Sequence, residues 1–155
     1  MHTPYHVARH SGVLQPQYPR PGLPTPVVVT TPELAAACAR FDRDKVFTDK
    51  AIERSEFITR WVQMPGAHTL AVVDHRDDSV LGFAVLRPAV GDALRLGPLL
   101  AATVEVADAL LRGLAKEARG RDVDLDVPDA NKFALDLAAR LVHRVFLGRC
   151  AHGAR

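Results

Sequence analysis

A chain of 155 residues with 48% hydrophobic and 25% charged side chains has the makeup of one globular domain, long enough to bury a core and short for two. Its net charge of +2 is unevenly laid out, because residues 1–32 and 142–155 hold five arginines and no acid while the body between them is net negative. A basic balance confined to the ends excludes nucleic acid as an expected partner, and no apolar run approaches the ~18–20 residues of a bilayer span, which excludes a membrane.

The first 26 residues carry Pro4, Pro16, Pro19, Pro21, Pro24 and Pro26, with Gly12 and Gly22 among them. Proline fixes φ and removes a backbone donor, so residues 1–26 are expected to form a Pro-rich disordered arm. Val27–Thr30 is a β-branched run that suits a first strand. Thr31-Pro32-Glu33 has N-cap chemistry with proline at N1, which predicts a helix from Leu34 to Phe41. Thr48 or Asp49 can cap a further helix through Ile52, Phe57, Ile58 and Trp61, stopped by Pro65-Gly66. His68–Asp74 and Val80–Arg87 read as an antiparallel pair around the polar turn His75–Ser79. Ala93–Leu99 is the next strand. Val106, Ala109, Leu110 and Leu114 share one face of a helix over Val104–Arg119. Asp122, Asp124 and Asp126 alternate with Val123, Leu125 and Val127 at the period of a strand. Asn131–Leu141 returns to helical spacing. The last fourteen residues, 142–155, hold no acid and show no alternation, so they read as a basic atypical tail. Cys38 and Cys150 form no CxxC or Cys/His ligand spacing, which points to free thiols in a cytoplasmic setting and to no metal.

The βαβα order from Ala93 to Leu141 predicts an α/β core. The turn after Leu99 opens into a helix N-terminus, where unpaired backbone N–H groups can hold an anion.

Two pieces of this segment resemble the GNAT N-acetyltransferase superfamily, with the match running over residues 27–141. The first is the strand, loop and helix from Leu94 to Leu111, where the family wraps the pyrophosphate of acetyl-CoA with backbone amides. Setting Ala109-Leu110-Leu111 on the family pattern places its Q/R-x-x-G-x-G/A signature on Ala102 to Ala107. Ala107 fits; Ala102 replaces the Gln/Arg and Glu105 replaces the middle glycine. The second piece, Val127 to Ala134, resembles the V-x-x-x-N-x-x-A motif that opens the family's fourth helix, with Asn131 as its asparagine. The resemblance implies an α/β fold of GNAT type: a mixed sheet with helices on both faces, here lacking the last strands. It implies transfer of an acetyl group from acetyl-CoA to a small-molecule amine or amino acid. The implied cofactor contacts are Leu99, Leu100, Ala102, Thr103, Val104, Val106 and Ala107 through backbone, and Asn131 through its side chain. The family's tyrosine acid stands seven residues after that asparagine, where this chain has Ala138.

Proton transfer needs a base near the acceptor amine. Asp74, Glu56 and the row Asp122, Asp124, Asp126 are the acidic candidates. Asp126 leads, because it stands at the carboxyl end of a strand, where α/β sheets place ligands. His68 and His75 flank one strand without a third partner for a metal. Phe57 and Trp61 read as core, and Arg87 as a surface residue. The missing strands would leave an open edge on which a second copy could form a homodimer. Against the enzyme stands a second reading, an inactive truncated variant that binds CoA or a protein partner.

Overall fold

The computed structural model describes residues 7–15, 20–49, 51–141 and 148–149. The proline-rich stretches at 1–6 and 16–19, and the tail at 142–147 and 150–155 with Cys150, lie outside the described residues.

Among the described residues, seven strands form one sheet: β1 (Val7–Val13), β2 (Val27–Val28), β3 (His68–Val73), β4 (Val80–Pro88), β5 (Leu94–Ala101), β6 (Asp122–Pro128) and β7 (Gly148–Arg149), in the order β2-β3-β4-β5-β6-β1-β7. Of these described strands, β5 and β6 run parallel and the other neighbours are antiparallel. A parallel pair needs a crossover, which is helix α3 (Val104–Ala118).

The sheet is mixed, with helices on both faces. On one face α3 and α4 (Lys132–Leu141) bury Leu110, Leu114 and Leu137 against Leu70, Leu86, Leu94, Leu96, Val123 and Leu125. On the other, α1 (Pro32–Phe41) and α2 (Ser55–Val62) bury Ala35, Cys38, Phe41 and Ile58 against Ala71, Phe83 and Val85. The alternation of β4 thus sends consecutive residues to different cores. Burial among these apolar groups pushes the Cys38 thiol up to about 12.

The caps explain the helix starts. Thr31 Oγ1 accepts the Leu34 N–H at 3.2 Å, with Pro32 in the first turn. Thr103 Oγ1 accepts the Val106 N–H at 3.3 Å, and α3 ends on left-handed Arg119 followed by Gly120 at φ 76°. Helix α2 starts at Ser55, later than the expected Thr48 or Asp49. Asp49 instead closes a turn on the Ala51 N–H at 3.0 Å, and Glu53 accepts the Ser55 N–H at 2.7 Å. A π-helical segment, Asp42–Val46, prolongs α1.

Two expectations change at the edge beyond β6. The arm expected over residues 1–26 contains a seven-residue strand, β1, paired with the full length of β6. The open edge expected from missing strands is not found beside β6, which β1 covers, with β7 paired to the far side of β1. The physical reason is that residues 7–13 fall between prolines, and strand pairing restricts only residues that lack an N–H.

Candidate functional site

The pairing of β5 with β6 stops at Leu96 opposite Leu125. Beyond it the chain passes a cis Gly97–Pro98 bond and continues along β4 alone. The two parallel strands part there and leave a cavity of about 600 Å³. Its apolar wall includes Leu96, Leu99, Ala107, Leu111, Leu125 and Leu137.

At one end stands the N-terminus of α3, with Ala102, Thr103 and Val104 lining the cavity. The Ala102 N–H is spent on the Leu81 carbonyl at 2.8 Å, the Val106 N–H on Thr103 Oγ1, and the Ala107 N–H on the Thr103 carbonyl at 3.1 Å. The donors left to suit an anion are thus the amides of Thr103, Val104 and Glu105, which have no carbonyl within the helix to bond. Glu105 is exposed and off the cavity, so its carboxylate points away from that end. Of the expected contact residues, Leu99, Ala102, Thr103, Val104, Ala107 and Asn131 line the cavity, whereas Leu100 and Val106 do not. Leu100 packs on the α1/α2 core, and Val106 is buried in the α3/α4 core. Asn131 Oδ1 accepts the Ala134 N–H at 3.0 Å, the capping geometry for α4. Ala138 is buried in the core, so the familiar acid position holds no titratable group.

The other end is polar and was under-read in the sequence. Arg95 sits directly opposite Arg87 in the β4–β5 register, and β5 carries it six residues, about 20 Å at ~3.3 Å per residue, from the strand's end at Ala101 just before α3. Arg54, Trp61, Arg87, Arg95 and Asp126 line the cavity. Asp126 accepts from Arg9 Nε at 2.8 Å and Nη2 at 3.1 Å, and also from Arg95 Nη2. The Arg9 hydrogen bond, with the charge of Arg95 behind it, holds its carboxyl below the usual range although partial burial opposes this. Asp124, next on the same face, accepts from Ser11 Oγ at 2.6 Å. Arg54 is ion-paired to buried Asp42 at 3.0 Å and stacks over the Phe47 ring at 4.8 Å. Burial pushes the Asp42 carboxyl up while Arg54 pulls it down.

The remaining acidic candidates lie elsewhere. Asp74 is in the β3–β4 turn, where hydrogen bonds from Arg76 hold it at about 2. Glu56 pairs with Arg60 on the exposed side of α2. Trp61 and Arg87, read as core and as surface, both face the cavity. The signal for them was thin: a lone arginine before a proline says nothing about which helix covers its strand.

The acetyltransferase (GNAT) domain family matches residues 45–146. No curated protein matches the sequence. Among solved structures, a GNAT-family acetyltransferase from Colwellia psychrerythraea is similar with a TM-score of 0.64 and 13% identity, over 90% of this chain and 53% of that one. A structure described as a GNAT-family acetyltransferase from Novosphingobium aromaticivorans gives 0.63 and 16%, over 92% and 60%. An aminoglycoside 6'-N-acetyltransferase complexed with coenzyme A gives 0.50 and 20%, over 61% and 54%. The chain thus spans between 53% and 60% of the length of these structures.

Proposed function

Since the chain belongs to the GNAT acetyltransferase family, we propose that it moves an acetyl group from acetyl-CoA to the amine of a small molecule or amino acid. The observation that carries this reading is the parting of β5 and β6 into a cavity with a helix N-terminus at one end. The residues present fit the cofactor: Thr103 and Val104 at the α3 N-terminus line the cavity, Glu105 is exposed and off it, and the wall between the ends is apolar.

In this reading the Thr103 and Val104 amides hold the pyrophosphate. Leu99 lines the pantetheine path, and its strand offers peptide groups on the side that β6 has left. Asn131 fixes the start of α4 beside that path. Bound acetyl-CoA would supply the thioester whose acyl carbon joins the amine nitrogen as the carbon–sulfur bond breaks, with the amine's proton ending on the thiol. Asp126 keeps Arg9 and Arg95 in place; a carboxylate held ionised by two guanidinium groups is a weak base. A cytoplasmic setting belongs to the same proposal.

Acetyl-CoA and CoA are expected to raise the thermal midpoint of the chain, with stabilisation growing by about 1.4 kcal/mol per tenfold ligand once Kd is passed. No shift at millimolar CoA sinks the reading. The second reading, a CoA-binding module without turnover, is favoured by buried Ala138 at the acid position. It predicts the same shift with no thiol release from acetyl-CoA and any amine.

A further inference from the structure

The arginine end of the cavity narrows the acceptor. Its charges do not all cancel. Asp126 is taken up by Arg9 and Arg95, and Arg54 by Asp42. Arg87 forms no ion pair among the described residues, and its buried Nε has no hydrogen-bond partner. It lies across from Arg95, and like charges directly opposite repel. What holds it is the face of Trp61, 5.8 Å from the guanidinium carbon to the ring centroid. Trp61 is itself braced edge-on by Phe57, with centroids 4.8 Å apart. The indole Nε1 is likewise buried and without a partner. Both residues line the cavity, and of its arginines Arg87 is the one with no carboxylate partner among the described residues. A guanidinium without a counter-charge, held on an aromatic face at the cavity wall, has the chemistry of a seat for an anionic group.

We propose that the acceptor is an amine that also carries a carboxylate, seated on the Arg87 guanidinium above the Trp61 ring. The claim rests on the acyltransferase reading for the chemistry, though not for the anion seat itself. A guanidinium fork matches two carboxylate oxygens, and the apolar ring beneath it keeps water away. The cofactor's phosphates do not compete for this seat, because the α3 N-terminus lies beyond the far end of β5, itself about 20 Å from Arg95. A polycationic amine meets Arg87 and Arg95 with repulsion, so the aminoglycoside chemistry of one structural relative does not transfer.

The test follows thermal denaturation of the full chain, with and without CoA, against each proteinogenic amino acid and its carboxamide. At least one free acid stabilises at a concentration about tenfold or more below that needed of its amide, the range expected of a hydrogen bond to a charged group. Arg87→Leu erases that difference. Arg87→Lys, which keeps the charge and loses the fork, retains part of it and stands in should Arg87→Leu fail to fold. Arg60→Ala, an exposed arginine off the cavity, leaves it intact. The proposal is overturned if no acid outperforms its amide, or if the preference survives unchanged in both Arg87 variants. Carboxylate preference without any CoA response overturns the acyltransferase reading and keeps the anion seat. CoA response without carboxylate preference does the reverse.

Discussion

Asp126 was read in the sequence as a candidate base and is found as the anchor of two arginines. Its folded carboxyl is held below the ordinary value, so its contribution to stability is present in full above the unfolded value near ~3.9 and is lost as pH falls through the lower folded value. Asp126→Asn is expected to lower stability at pH 7 by about 1–2 kcal/mol, at the modest end because the pair is partly exposed to solvent. Urea midpoints should show the gap between wild type and variant closing below about pH 4. A gap that stays constant into stronger acid removes the linkage. The period-two alternation exposed the face on which Asp126 lies. Its partner could not be read, because Arg9 is 117 residues away and sits in a stretch dominated by prolines. The place of Arg87 and Trp61 at the cavity is hidden from the sequence for a related reason. Composition fixes whether a side chain can be buried, but a cavity exists only once two strands part.

At the scale of elements, spacing and caps made the helices readable, and Gly82 shows what spacing leaves out. A Cβ at Gly82 on β4 would stand 2.7 Å from the Leu100 carbonyl oxygen and 2.7 Å from Val106 Cγ1. Both distances are shorter than van der Waals contact, and the first obstacle is backbone. Val106 belongs to the opening turn of α3, so the missing side chain is what lets that helix start sit close to the sheet. Gly82→Ala is expected to cost about 1–3 kcal/mol through overpacking. It is also expected to weaken the CoA-induced thermal shift, since relief comes by moving the α3 N-terminus. Gly113→Ala is the comparison: its Cβ meets the end of the Leu70 side chain, which can rotate away. Equal CoA responses in the two variants would show that Gly82 matters for packing alone. The local sequence does not say what crowds Gly82, because Leu100 and Val106 follow it by 18 and 24 residues.

The strand order β5-β6-β1-β7 places an N-terminal segment inside the half of the sheet that binds the cavity. Strand β1 satisfies the backbone of β6 over its whole length, sends Leu14 into the α3/α4 core, and brings Arg9 to Asp126. None of this is visible locally, because Val7–Val13 has too few apolar residues in alternation to stand out and its partner is remote. Removing residues 1–14 should therefore act on the whole molecule. It strips β6 of its antiparallel partner, leaving a row of unpaired N–H and C=O groups beside buried Val123, Leu125 and Val127. A bare edge of that kind recruits another copy. The expected outcome is a lower thermal midpoint together with dimers or larger species in size-exclusion chromatography with light scattering. A peptide spanning residues 5–15, added in excess, should re-pair with β6 and shift the population back toward monomer while raising the midpoint. A shortened chain that stays monomeric with an unchanged midpoint would show that β1 is dispensable. Arg9 would then have to be replaced as the source of Asp126's low carboxyl value.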